Sequence, residues 1–161
     1  MKEKGFTIVE LVVVMAISGI LLGIGMLQFS AMQKKAAVEA EVRTIYSKLT
    51  EIRLEAMYTK TPRLVLFNGN QMTIYPADVS TAPPVSVVSL SFPVVVSSSA
   101  NRVLYDAAGI MNLTERSICV EPGGAPATTG NMDSVVVSAV SSKMGKRRTG
   151  GACAPASIDQ K

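Results

Sequence analysis

Residues 6–27 read FTIVELVVVMAISGILLGIGML, an apolar run interrupted only by Glu10 and a few small polar side chains. As a helix this run rises about 33 Å, enough to cross the hydrocarbon core of a bilayer. It predicts one membrane-spanning helix at the N-terminus. Two ordinary readings compete. A secretory signal peptide has a shorter apolar core and a small-x-small cut site after it, and Gln28-Phe29-Ser30-Ala31-Met32 is a poor one. A plain signal anchor fits the length. Lys2 and Lys4 favour a cytoplasmic N-terminus, but Lys34 and Lys35 lie on the far side, so charge bias alone leaves the anchor reading open.

Two details go beyond hydropathy. Glu10 puts a carboxylate into a membrane segment, which costs about 2.5–3.5 kcal/mol at mid-helix and less near an end. Such a residue points to function, unless it simply snorkels to the interface. Gly5 breaks helix propensity just before the apolar run. A protease cutting there, on the cytoplasmic side, leaves the whole helix attached to the product.

Lys4-Gly5-Phe6-Thr7-Ile8-Val9-Glu10-Leu11 resembles the class III leader and first helical turn of type IV pilins and type II secretion pseudopilins. The resemblance implies that a prepilin peptidase cuts between Gly5 and Phe6, that Phe6 becomes the methylated N-terminus, and that Glu10 is the acidic fifth residue of the mature chain. It implies partners as well: the inner membrane, the peptidase, and other pilins or pseudopilins in a helical filament. The freed Phe6 amine and Glu10 stand about one helical turn apart. Each is costly alone in a low-dielectric filament core. Pairing Glu10 with the Phe6 amine of a neighbouring subunit relieves both and sets axial register. Many family members carry a proline near the position of Leu27; here Gly23 and Gly25 are the only local weak points.

Beyond the membrane run, Val38, Val42, Ile45, Leu49, Ile52 and Ala56 alternate spacings of four and three, the mark of an amphipathic helix. Glu39, Glu41, Arg43, Lys48, Glu51, Arg53 and Glu55 fall on other faces, and Glu39 precedes Arg43 by four, a supportive pair. Pro62 restricts its predecessor and stops the helix. A coiled-coil seam is the alternative, but the stripe lasts only about three heptads and a strand-forming segment follows. The expected organisation is a leader over 1–5, a transmembrane helix over 6–28, an amphipathic continuation over 29–61 and a β-domain over 62–161.

Residues 63–67 and 72–75 flank Asn68-Gly69-Asn70-Gln71, a hairpin signal. Further strands are expected at 85–90, 94–96, 102–106, 117–120 and 134–140, with a turn near Gly109 and a Pro/Gly/Thr loop over 121–131. One long helix followed by an antiparallel β-sheet domain is an α+β layout. This order resembles the GspH/FimT-type minor pseudopilins and minor pilins. Their helices end in a run similar to Arg53-Leu54-Glu55-Ala56, and they carry a midway segment similar to Leu104-Tyr105-Asp106-Ala107-Ala108-Gly109.

The chain has no His and no Trp. Lacking His, it lacks the commonest general base and a common metal ligand. No enzyme site, cofactor or metal is expected. Cys119 and Cys153 lie too far apart for a CxxC motif. In an extracytoplasmic domain they form a disulfide, and closing that loop contributes about 3–4 kcal/mol. Two buried free thiols are the alternative.

Lys143, Lys146, Arg147 and Arg148 crowd into six residues before Thr149-Gly150-Gly151 and read as a basic turn. Such cations grip phosphates. Gly145-Lys146-Arg147-Arg148 is similar to the Gly-Arg-x-Arg motif of FimT-like DNA-uptake pilins, with Lys in place of the first Arg and its bidentate fork lost. No aromatic residue stands nearby to stack a base, and a solvated turn is the plain alternative. A net charge of +4 permits contact with DNA or anionic lipid and demands neither. The expected function is a non-enzymatic minor pilin or pseudopilin of a type IV pilus or type II secretion pseudopilus. It is expected to be single-pass in the bacterial inner membrane with its C-terminal domain in the periplasm; a DNA-binding uptake pilin is the alternative.

Overall fold

The computed structural model describes residues 7–76, 79–111, 114–127 and 130–161, without the side chains of 25–27. The leader 1–5, including Gly5, and Phe6 lie outside the described residues.

Helix α1 runs Ile8–Thr59. Its start is set by Thr7, whose Oγ1 accepts the Glu10 backbone N–H at 3.3 Å and whose carbonyl accepts that of Leu11 at 3.2 Å. Thr7 thus satisfies a donor that a bare helix end leaves orphaned. At the other end Lys60 takes a left-handed φ of 54°, the usual C-terminal break, and Pro62 follows. The chain divides into two units at Lys34 and Lys35. In the first, every described side chain is exposed, including Ile8 at 83% and Leu22 at 73%.

In the second unit the amphipathic stripe does what its spacing predicts. Val42, Ile45, Leu49 and Ala56 are fully buried, and Val38 and Ile52 nearly so. Burying a Val, Leu or Ile side chain contributes about 1.5–3 kcal/mol. The polar faces have partners that spacing alone does not reveal. Glu39 Oε1 accepts the Asn131 N–H (2.8 Å) and not a bond from Arg43. Glu41, itself buried, accepts the Ser91 N–H (3.1 Å). Glu55 pairs with Arg63 (3.0 Å).

The strands are β1 (Arg63–Asn68), β2 (Gln71–Tyr75), β3 (Ser86–Ser89), β4 (Val94–Val96), β5 (Arg102–Tyr105), β6 (Arg116–Val120), β7 (Ser134–Val137), β8 (Ser142–Arg147) and β9 (Ile158–Gln160). They form two antiparallel sheets, ordered β3-β2-β1-β5 and β4-β6-β7-β8-β9. The first hairpin closes over Gly69-Asn70, with Asn68 opposite Gln71 and Gly69 at φ 56°. The inner faces of both sheets share one core with the helix stripe: Val65, Met72 and Val103 from the first, Ile118, Val120 and Val135 from the second. The outer face of the second sheet holds a smaller cluster of Cys119, Val136 and Ile158, with Cys153 against it.

Two expectations need correction. The strand expected over 134–140 stops at Val137, because Ser138 turns the chain by donating its N–H to the Ser141 carbonyl (2.8 Å). The basic segment is therefore no turn; it returns as β8, in register with β7 from Ser142 opposite Val137 to Gly145 opposite Ser134. The C-terminal tail adds a further strand, β9, on β8.

Candidate functional site

The described residues place the expected functional side chains in three separate regions. The first is the start of α1. Thr7 and Glu10 have the threonine-to-glutamate spacing of a capping box, and Glu10 is exposed in the first turn. A carboxylate here faces the positive end of the helix dipole. Thr7 enters the sequence reading as part of the leader motif, and the Thr-x-x-Glu spacing also makes its cap legible. From Ile8 to Ile24 the helix is apolar and uncovered. Large contiguous apolar surfaces on a folded chain mark contact with a partner or a membrane. The helix is also long and apolar enough to cross a bilayer.

The second region is the outer face of the second sheet. Cys119, on the fully buried strand β6, is bonded to Cys153 across 34 residues. The disulfide pins the tail, and β9 then lies along β8. Gly145 makes room for it: a Cβ there would sit 2.5 Å from Ile158 Cγ2 and 2.8 Å from the Asp159 carbonyl oxygen.

The third region is the basic strand. Its four cations do not form one open patch. Arg147 is buried, and its Nη1 pairs with Glu121 at 2.8 Å. Its N–H is held by Asp133 Oδ1 (2.8 Å), which also accepts from Ser134 Oγ (2.5 Å). Arg148 is exposed but donates from Nε and Nη2 to Asp159 Oδ1, at 2.9 and 2.7 Å. The Asp159 hydrogen bond raises its pKa further, so the guanidinium stays charged. Lys143 and Lys146 are exposed with no carboxylate partner among the described residues. Lys146, Asp133, Arg147 and Arg148 wall a shallow cleft of about 100 Å³, smaller than the roughly 300–1,000 Å³ of small-molecule sites. The sequence pointed to the cations but not to Glu121, Asp133 and Asp159, which come from other loops and strands.

Comparison with known proteins converges on the same features. Residues 1–26 match the family model of the prokaryotic N-terminal methylation motif. No curated protein matches the chain. Among solved structures, it is similar to the type IV minor pilin FimU of Pseudomonas aeruginosa (strain PAO1) in two crystal forms. In space group P21 the TM-score is 0.54 at 15% identity, over 70% of this chain and 91% of that one. In P65 it is 0.54 at 18% identity, over 66% and 90%. A long N-terminal helix packed on antiparallel sheets is thus a fold shared with a minor pilin. The chain carries the N-terminal methylation motif of type IV pilins in front of a fold shared with a minor pilin.

Proposed function

We propose that this chain is a minor pilin or pseudopilin. A prepilin peptidase cuts it between Gly5 and Phe6 and methylates Phe6. The apolar helix holds it in the inner membrane with the β-domain in the periplasm. It then assembles with other pilin-like subunits into a type IV pilus or a type II secretion pseudopilus. The observation that carries this reading is the uncovered apolar helix with one carboxylate, Glu10, in its first turn. Lipid covers that surface before assembly and sister helices cover it after. A cut before the helix keeps the anchor and frees an amine about one turn from Glu10. The Cys119–Cys153 disulfide supports the periplasmic placement, because such bonds persist in oxidising compartments.

Glu10→Gln tests the pairing. Removing one partner of a buried ion pair costs about 3 kcal/mol or more, roughly a hundredfold in an equilibrium. The variant should still be processed and enter the membrane, yet drop about a hundredfold in the sheared filament fraction. Undiminished incorporation would sink the pairing.

A second reading keeps a DNA-binding role for β8. It is favoured only by the exposure of Lys143 and Lys146, since Arg147 and Arg148 are engaged by carboxylates. Replacing both lysines with Ala should weaken duplex DNA binding and flatten its log–log salt dependence by about two. An unchanged slope removes this reading.

A further inference from the structure

Exposed apolar side chains of the second unit gather at one end. Leu54, Met57, Tyr58, Ile110 and Val140 are five of the nine large ones among its described residues, the others being Val79, Val85, Val87 and Val95. Leu54 (58% exposed) and Tyr58 (90%) stand one helical turn apart. Met57 lies against Gly109, next to Ile110. Arg53 reaches Val140 (62% exposed) by donating from Nη1 to its carbonyl. The last turns of α1, the turn at Gly109 and the loop at Val140 thus form one surface. Apolar groups gathered in this way mark contact with a partner. Tyrosine, methionine and arginine are also the side chains that interface centres favour.

The charge at this end selects the partner. Among the described residues no carboxylate lies within ion-pair distance of Arg53. Its Nη1 is taken by Val140 and its Nε is buried without a partner, so Nη2 is the donor left for a ligand. The Val140 bond already orders the side chain, which lowers the entropy cost of binding. Lys60, exposed at the helix end, is likewise unpaired. The complement is an apolar face that carries a carboxylate, the group a guanidinium holds best. A second copy of this chain does not supply one. Among the described residues every carboxylate beyond Glu10 already has a partner within the chain, and Glu10 belongs to the helix contact proposed above. An anionic lipid surface fits poorly as well. From Val38 to Thr59 the helix carries four carboxylates against three cations, whereas membrane-surface helices are rich in Lys and Arg.

We infer that this surface docks an apolar face of a different protein subunit, which presents a carboxylate to Arg53. Naming that subunit as another pilin-like one rests on the proposed function; the surface itself does not.

The test places a photo-crosslinking residue at Val140 of the full-length chain in its native host, with adducts mapped by mass spectrometry. The expected result is an adduct to a segment of another pilin-like subunit that holds an Asp or Glu among apolar residues. Tyr58→Ala removes an exposed ring and leaves the core intact. It should lower the yield about tenfold or more, the loss that a hot-spot aromatic carries, with the thermal midpoint unchanged. Arg53→Gln should lower the yield too, and reversing both charges, Arg53→Glu here and the partner's carboxylate to Lys, should restore it. No adduct, adducts only to lipid or to second copies of this chain, or a yield indifferent to Tyr58→Ala would overturn the inference. Failure of the charge reversal to restore the yield would overturn the carboxylate. The mature N-terminus is read in the same samples. A processed chain without the adduct refutes the surface and spares the filament reading; an unprocessed chain that still gives the adduct keeps the surface and refutes the filament reading.

Discussion

Gly109 and Arg53 approach so closely that a Cβ on the glycine would lie 3.2 Å from the Arg53 carbonyl oxygen. The same atom would overlap the Met57 side chain, with its Sδ at 2.8 Å. Asp106 shapes this turn by accepting the N–H groups of Ala108 (2.9 Å) and Ile110 (2.8 Å) on one carboxylate oxygen. Arg53 reaches the other way, donating from Nη1 to the Val140 carbonyl. The two segments that carry the weaker family resemblance, one ending the helix and one midway along the β-domain, meet here.

Gly109 also sits at φ 70°, a left-handed conformation that a side chain strains. Gly109→Ala should therefore destabilise the domain by about 1–3 kcal/mol, read as a lower denaturant midpoint. An unchanged midpoint would mean that the helix end and the turn move apart at little cost.

Arg147 and Arg148 are neighbours with opposite fates. Arg147→Ala strands the largely buried Glu121 carboxylate, which should cost about 3 kcal/mol or more. Arg148→Ala loses only exposed contacts, with Asp159 and with the Ala156 carbonyl, and should leave the midpoint where it is. Equal effects in urea unfolding would contradict the assigned partners.

Reducing the disulfide, or replacing Cys119 and Cys153 with Ser, should cost about 3–4 kcal/mol for a loop of 34 residues. It should also loosen β9. Hydrogen exchange should speed up first at the Lys161 N–H, bonded to the Met144 carbonyl, and at the Arg148 N–H, bonded to the Ser157 carbonyl (both 2.9 Å). Uniform exchange across all strands would contradict a tail held mainly by this bond.

Tyr105 is 1% exposed, and burial pushes its phenol up to about 12. The unfolded phenol ionises from about pH 10, so the folded state holds a proton that the unfolded state has lost. Stability present below pH 10 is lost as pH rises towards 12, by at most about 3 kcal/mol. In a comparison of urea midpoints from about pH 9 to 11.5, Tyr105→Phe should abolish this part of the decline. A parallel fall in both proteins would refute the assignment.

Some of these relationships were legible in the sequence because they follow a period or a local turn. The helix stripe from Val38 to Ala56 needs only a spacing rule, and the β1–β2 hairpin only Asn68-Gly69. Strand β8 escaped detection for a physical reason. Its buried positions are Gly145, which leaves room for Ile158, and Arg147, whose charge is met by Glu121. Neither looks apolar, so the alternation that marks a strand is hidden. Glu39 and Glu41 read as solvent-facing helix residues, yet they hold loop N–H groups about 90 and 50 positions along the chain, in a way no local pattern encodes. Strand order was likewise beyond reach, since it depends on how β4 and β6 leave the first sheet to build the second. At the N-terminus the motif was legible because it is a local run of residues, and residues 1–26 match the methylation-motif model.

The most direct test of the filament reading is the intact mass and N-terminal sequence of the chain purified from its native membrane. A mature protein beginning at methylated Phe6 is predicted. A chain still beginning at Met1, or one cut beyond Leu27 so that the helix is lost, would contradict it.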